Sequence, residues 1–564
     1  MKNLKNKSLI IIILINLIIF CFTNLIFDIK YEQVDDFIIY NLYSGLDGTY
    51  NFHGVYLHPI ICIVLSLIFR INSSINWHSI FLLSMQFVCF TIIGYILLEK
   101  HKNKLAIALY SIFASICYTS LLLLIQYTSV AALLILTSFF MLWHGTTEKK
   151  NKKYKCIAIV LYAIGIMIRM QSLMIILPFF ILLAIVQFKK KNILREEIST
   201  LAKNYLILFL VTCIVYISNM IIYKSNDVYR EYIEYNNIRA TLHDLSYTDY
   251  EENKEIFNEI GWSENDHYLF YTFNFGDENV YNKENLQKIV DYKKNKNEYY
   301  NLNLDFERVC KYFLEEAVYI NTYISILFVS MFILAMINNK EKSKINILIF
   351  ITTILIHILF IVLNRSMQRV VIPEYIIGIV LFIYNLNLKY QNDTNNTYDT
   401  IIIFSIIISI VFSGSQYQYN YKLKDYKMYQ AVIDYTNEHK ENVYLYTVPS
   451  LQYRYLTYSV YKMPPKGSFS NLRVMGGWDM FTQNYYDFKE RYELEGTFLD
   501  VLKENVYIID GDVTWSGNYY TNYIEHIVVF LEENYNTEVS YEKIKEFDNI
   551  YIYKITNINE KKEE

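Results

Sequence analysis

A chain of 564 residues with 53% apolar side chains and a positive mean hydropathy carries more long apolar runs than a globular protein needs for its core. Its 52 basic and 56 acidic residues nearly cancel, which argues against nucleic acid as a partner. The seven cysteines, all but Cys310 in apolar segments, supply no disulfide framework. Isoleucine, asparagine, lysine and tyrosine are abundant while glycine and proline are scarce, a pattern of A+T-rich coding rather than of function.

Taken in chain order, Lys2, Lys5 and Lys7 precede an apolar run, 8–27, that is long enough to span a bilayer and lacks a small-x-small cleavage site. It is read as a retained first span. A first outer loop, 28–77, follows, with the adjacent acids Asp35 and Asp36 and the stretch Tyr56-Leu57-His58-Pro59-Ile60. Further apolar runs lie near 78–98, 105–125, 128–143, 156–188, 203–223, 319–337, 345–363, 371–386 and 400–413. The run 156–188 has lysine-rich flanks at both ends and is too long for one crossing, so it predicts a hairpin with its apex at Arg169-Met170-Gln171-Ser172.

This gives about eleven transmembrane helices with the N-terminus cytoplasmic. The inner segments then hold twenty Lys or Arg, and the short outer ones hold only Lys30, Arg70, Arg169, Arg365 and Arg369. The scheme requires Val55–Ile71 to lie on the outer surface as an interfacial helix opened by His58-Pro59. Residues 1–413 are thus read as a multi-span membrane domain with a large outer loop at 224–318. Residues 414–564 are read as an extracytoplasmic α/β domain, with strands at 443–446, 506–509 and 550–555 alternating with helices near 425–438 and 520–534. The expected location is the plasma membrane, with the C-terminal domain outside.

Asp35 and Asp36 sit just beyond the first span. A carboxylate there can take the proton from an acceptor hydroxyl as general base, or hold a divalent cation; no cofactor is otherwise called for. Glu32 is a weaker third acid. His53 and His58 are candidates for a sugar hydroxyl or a phosphate, with an N-cap role equally open for His58. Arg169, Arg365 and Arg369 fall at outer ends of spans, where an unpaired arginine is costly. Arg365 and Arg369 stand one helical turn apart if helical, a spacing suited to gripping a phosphate, with interfacial snorkelling as the alternative. Arg239 and Asp244 form a polar cluster that an internal salt bridge also explains. Gly476-Gly477-Trp478-Asp479 is a sugar-stacking surface or, more simply, a turn with a packed tryptophan. No Walker A loop, Rossmann fingerprint, His-Glu-x-x-His or Gly-x-Ser-x-Gly is present.

The first span, the acidic pair, the His58-Pro59 helix and the start of a late span at Arg369-Val370-Val371-Ile372-Pro373 together resemble the GT-C membrane glycosyltransferases. The likeness is to the protein mannosyltransferase and aminoarabinose transferase branch and covers roughly residues 1–390. The outer regions resemble those of bacterial membrane proteins of low-G+C Gram-positive species. The resemblance implies a GT-C-like fold, with Asp35 or Asp36 acting at the acceptor and Arg369, with Arg365 second, holding the phosphate of a polyprenyl-phosphate sugar. Two departures matter: Asp35-Asp36 stands where the group has Asp-Glu, and Ile60 where it has a second proline. The function so implied is transfer of a sugar from a polyprenyl-phosphate carrier to a glycan, lipid or protein acceptor at the outer face. The alternatives are a transporter or polymerase of lipid-linked glycan, and a non-catalytic envelope scaffold. A transporter should show buried charge deep in several spans, whereas the charges here gather at one face.

Overall fold

The computed structural model describes residues 2–32, 35–148, 152–188, 195–244, 247–296, 305–388, 406–416, 427–451, 459–511 and 522–558. The start of the run 400–413, the lysines at 149–150 and 189–191, and the tail from 559 lie outside these. Among the described residues eight helices are long and apolar enough to cross a membrane: Lys7–Ile26, Trp77–His101, Lys104–Leu123, Tyr127–Thr147, Met170–Phe188, Ile198–Lys224, Lys340–Val362 and Gln368–Asn385. A ninth crossing is possible at a pair, Phe306–Ile320 and Thr322–Asn338, bent by 95°.

The expected count of about eleven is therefore met in part by length and composition. The helix Lys152–Ile168 exists but opens on lysines, and the described helix Ile406–Gln416 is short. The turn expected at the apex is present: Lys152–Ile168 and Leu173–Phe188 are joined at Met170–Ser172, with only the second of the two helices apolar and long enough to cross. Ile198–Lys224 turns Leu206, Phe209, Leu210, Ile214 and Ile221 outward, an apolar face that water would not tolerate and lipid does. The molecule is a multi-pass membrane protein.

Side-chain caps set the helix starts. Asn76 accepts from the Ser79 N–H, Asn103 from Leu105, and Gln126 from Thr128 and Ser129. The connections sort to two ends of the bundle. At one end Lys100 pairs with Glu148 at 2.7 Å, His101 meets the Ile383 carbonyl at 2.9 Å, and Lys342 reaches Asn385 at 3.0 Å. At the other, Lys30 and Tyr31 pair in parallel with Leu124 and Ile125, and Ser172 donates to the Thr128 carbonyl. Lys100, His101, Glu148 and Lys342 therefore share one end, and the acid-bearing first loop lies at the other. The helix Pro59–Ile71 begins beside Met167, close to the hairpin turn, and ends beside the start of Trp77–His101, so both its ends lie with the first loop.

Residues 443–557 carry a five-stranded sheet ordered Leu472–Val474, Val443–Tyr446, Val506–Gly511, Ile550–Asn557, Val539–Phe547. The first three strands are parallel and the last two antiparallel. Helices Lys427–Glu438, Gln483–Arg491 and Tyr523–Tyr535 complete the α/β arrangement. The large loop supplies helices Asp227–Asp244, Lys254–Ile260, Glu264–Tyr271 and Lys283–Asn295.

These two regions share one core. Trp262, Phe270, Phe275 and Tyr281 from the loop pack with Met475, Tyr485, Phe530 and Ile555 from the C-terminal part. The backbones touch at two glycines: a Cβ on Gly276 would lie 2.6 Å from the Met475 carbonyl oxygen, and one on Gly476 would collide with that of Phe273. The sequence boundary at 413/414 thus does not coincide with a break in packing.

Candidate functional site

The parallel pairing of Lys30–Tyr31 with Leu124–Ile125 fixes the chain entering the first loop, and the Glu32 N–H closes onto the Ile125 carbonyl at 3.0 Å. This brings Glu32 and the short helix Asp35–Ser44 against the start of Tyr127–Thr147. The Glu32 carboxylate accepts from the Arg369 N–H at 3.2 Å. Burial, only partly offset by Arg369 and reinforced by Asp36 and Asp35, pushes the Glu32 carboxyl up to about 7.

The two neighbouring acids have different surroundings. Asp36 is fully buried, and its Oδ1 lies 2.9 Å from His78 Nε2; His78 Nδ1 in turn meets the Tyr43 hydroxyl at 2.6 Å. The simplest arrangement has Tyr43 donating to Nδ1 and the Nε2–H donating to the carboxylate. Burial raises the Asp36 carboxyl, opposed chiefly by His78. Its Oδ2, close to the Tyr127 backbone, closes no hydrogen bond. Asp35 is partly exposed, and its carboxylate stands within electrostatic reach of Arg369, Tyr56 and Tyr127.

Tyr56 and Tyr127 lie nearly parallel, 6.4 Å apart. The Arg169 guanidinium covers both rings, 5.3 Å from Tyr56 and 5.1 Å from Tyr127, and donates to the Tyr127 hydroxyl. Arg239 and Asp244 from the large loop add their charges around Tyr56, whose hydroxyl burial pushes up against the pull of Arg239 and Arg169. Arg239 itself is buried and held by Asn236 at 2.8 and 3.0 Å, not by Asp244. Asp244 pairs instead with Arg365 at 3.0 Å, half exposed. The C-terminal part closes the group from above, Trp478 standing edge-on to Tyr56 at 4.8 Å while Tyr232 donates to the Trp478 carbonyl at 2.8 Å.

One feature of Arg369 stands out chemically. Its Nη1 is buried and closes no hydrogen bond, although Glu32 and Asp35 lie nearby. A guanidinium with a free inward donor among partial counter-charges is suited to an anionic ligand oxygen.

The two histidines are placed elsewhere. His53 stacks on Tyr229 at 4.0 Å, with Nδ1 at 2.9 Å from Asn51 Oδ1, and burial alone pushes its pKa down to about 4. His58 caps Pro59–Ile71, accepting from the Ile60 N–H at 3.2 Å and meeting Ser218 at 3.0 Å through Nε2. Both act in packing the first loop. For a divalent cation the fit is poor: Asp36 is committed to His78, and among the described residues no group of three or more His, Cys, Asp or Glu is disposed to hold a metal ion.

The sequence reading thus finds the charged members, Glu32, Asp35, Arg169, Arg239 and Arg369, in one place. It misses His78, Tyr43 and Tyr127. A polar residue in the first turn of an apolar helix was the available signal for His78.

No family model matches the chain, and no curated protein matches it. Among solved structures, that of ArnT from Cupriavidus metallidurans in the apo state aligns over 96% of this chain and 97% of that chain, with a TM-score of 0.40 and 9% identity. An overlap at that score is a likeness in outline and bears no weight below.

Proposed function

We propose that this chain is a GT-C-type glycosyltransferase that moves a sugar from a polyprenyl-phosphate carrier to an acceptor at the outer membrane face. The observation that carries the reading is the buried, unpartnered Arg369 Nη1 beside the partly exposed Asp35 carboxylate, under the Arg169–Tyr56–Tyr127 group. Eleven crossings, with the N-terminus cytoplasmic and the outer half extracellular, belong to this reading and rest on the charge asymmetry of the loops.

In this mechanism Arg369 takes a phosphate oxygen of the lipid donor, and Arg169 adds positive charge above the same space. Their charge stabilises the lipid phosphate as it leaves the anomeric carbon. Asp35 accepts the proton of the acceptor hydroxyl as that oxygen attacks, which inverts the anomeric configuration. Asp36 is a positioning residue: its bond to His78 fixes the first turn of Asp35–Ser44 and so aims Asp35. No step passes through a metal.

The test is transfer of labelled sugar from a polyprenyl-phosphate donor in membranes holding each variant at equal abundance. Loss of transfer in Asp35→Asn and Arg369→Ala is the expected result. Transfer near wild type in both removes these residues from the chemistry.

A further inference from the structure

A second group of ionisable side chains lies outside this site, where the sequence reading expected none. His357 belongs to Ser343–Val362, Glu374 and Tyr375 to Gln368–Asn385, and Glu316 to a π-helical stretch, Glu315–Ile320, at the 95° bend. Such stretches recur at functional positions. Carboxylates approach both ring nitrogens of one fully buried imidazole: Glu316 Oε2 at 2.9 Å from Nε2, and Glu374 Oε1 at 3.5 Å from Nδ1.

The protons can be counted. Tyr375 lies 3.1 Å from Nδ1 and can donate to it, leaving the single imidazole N–H on Nε2 to face Glu316. Glu316 also accepts from Ser366. With two donors, Glu316 is the member fitted to be ionised. Glu374 has no exposed surface, and neither of its oxygens closes a hydrogen bond. A carboxylate so placed would be far costlier than the neutral acid. Of the other elements packed on His357, only Phe306–Leu314 and the π-helical stretch carry further charge, and their Glu307, Lys311 and Glu315 are exposed. Leu173–Phe188 has no titratable side chain, and Thr322–Asn338 has only Tyr323. Phe306–Leu314 meets the ring through Phe313, its Arg308 pairing with Asn364.

We propose that Glu374, His357 and Glu316 form a proton-binding site in the membrane-embedded half, with the proton resting on Glu374 at neutral pH. Transfer is balanced once the Tyr375 hydroxyl rotates off Nδ1 and frees its lone pair: the Glu374 O–H gives its proton to Nδ1 as the Nε2–H gives its own to Glu316. That leaves Glu374 ionised, the imidazole neutral in its other tautomer, and Glu316 a neutral acid. Ser366, bonded to Glu316, adjoins Arg365 in the outer loop, so the proton has an exit at that face.

Infrared spectroscopy of the full-length protein in lipid nanodiscs tests this without reference to sugar transfer. The wild type should show the carbonyl stretch of a protonated carboxylic acid at neutral pH. A component of that band should be missing in Glu374→Gln and kept in Glu316→Gln and in Glu32→Gln, the latter removing only the share that the Glu32 carboxyl, itself at about 7, adds. In heavy water it should shift, and the shift should be at least tenfold slower in His357→Gln or His357→Phe. A Glu374→Gln spectrum unchanged from wild type overturns the proton assignment. Equal exchange rates in both folded His357 variants overturn the relay.

Discussion

Nε2 of His78 lies 2.9 Å from Oδ1 of Asp36, and neither side chain reaches solvent. That bond separates two acids that are adjacent in sequence. One is tied into the wall by a histidine from the next span, and the other is left facing the arginines and tyrosines.

The first prediction concerns that tie. Asp36→Asn keeps size but replaces an ionic acceptor with an amide. We expect about 1–3 kcal/mol of lost stability, read as a lowered melting temperature in detergent, with transfer lost in proportion to the misplacement of Asp35. His78→Phe should reproduce the effect, and the double variant should lose less than the sum. Full additivity would show that the pair is not coupled.

For Asp35, Asp35→Asn removes the basicity while keeping the shape. A general base is worth about 10²–10⁴-fold, so roughly 3–5 kcal/mol should appear in kcat. Arg369→Ala should instead appear largely in the donor KM. The two variants should differ in kind, and a shared pattern would count against the separate roles.

Glu32 gives a pH dependence. Its carboxyl is pushed up to about 7, so it is neutral below that pH and negative above it. A phosphodiester donor keeps its charge across this range. Donor KM should therefore rise as pH rises through about 7, when a second negative charge joins Arg369, and the rise should flatten in Glu32→Gln.

His53 gives one for stability. Its pKa is about 4 in the folded state against about 6.5 unfolded, so between these values the unfolded chain binds more protons. Its contribution is present above pH 6.5 and is lost as pH falls towards 4, by up to about 3 kcal/mol. The raised carboxyl of Glu32 acts with the opposite sign, so the measurement is the difference in slope between wild type and His53→Gln, expected to be positive in that window.

The last prediction is of packing. Because the loop and the C-terminal strands share a core, residues 427–558 expressed alone should not unfold cooperatively. Gly476→Ala, whose Cβ would meet the Phe273 carbonyl, should destabilise the outer half far beyond an ordinary surface change. A sharp transition in the isolated fragment would refute this.

What could be read from the chain beforehand follows from physics of different range. Apolar runs are local signals, and they located the long helices and the turn at Arg169. Charged residues at span ends are also local, and Glu32, Asp35, Arg169 and Arg369 came out together, joined by Arg239 from the large loop. Contacts such as Asp36 with His78, or Tyr56 with Trp478, depend on how helices pack, and no periodicity encodes them. Glu316, His357 and Glu374 were masked by the apolar residues around them. The shared core was hidden because 224–318 and 414–564 each look self-sufficient in strand and helix pattern.

The sheet has a consequence for timing. Its strand Ile550–Asn557 lies between Val506–Gly511 and Val539–Phe547, and so is an inner strand that leaves the ribosome after every other strand of the sheet. The helices from Asp227 onward cannot bury Trp262 and Phe270 fully until that strand arrives, after every later helix has entered the bilayer. For the length of that synthesis an apolar surface stands open, which makes this protein a natural client for folding assistance.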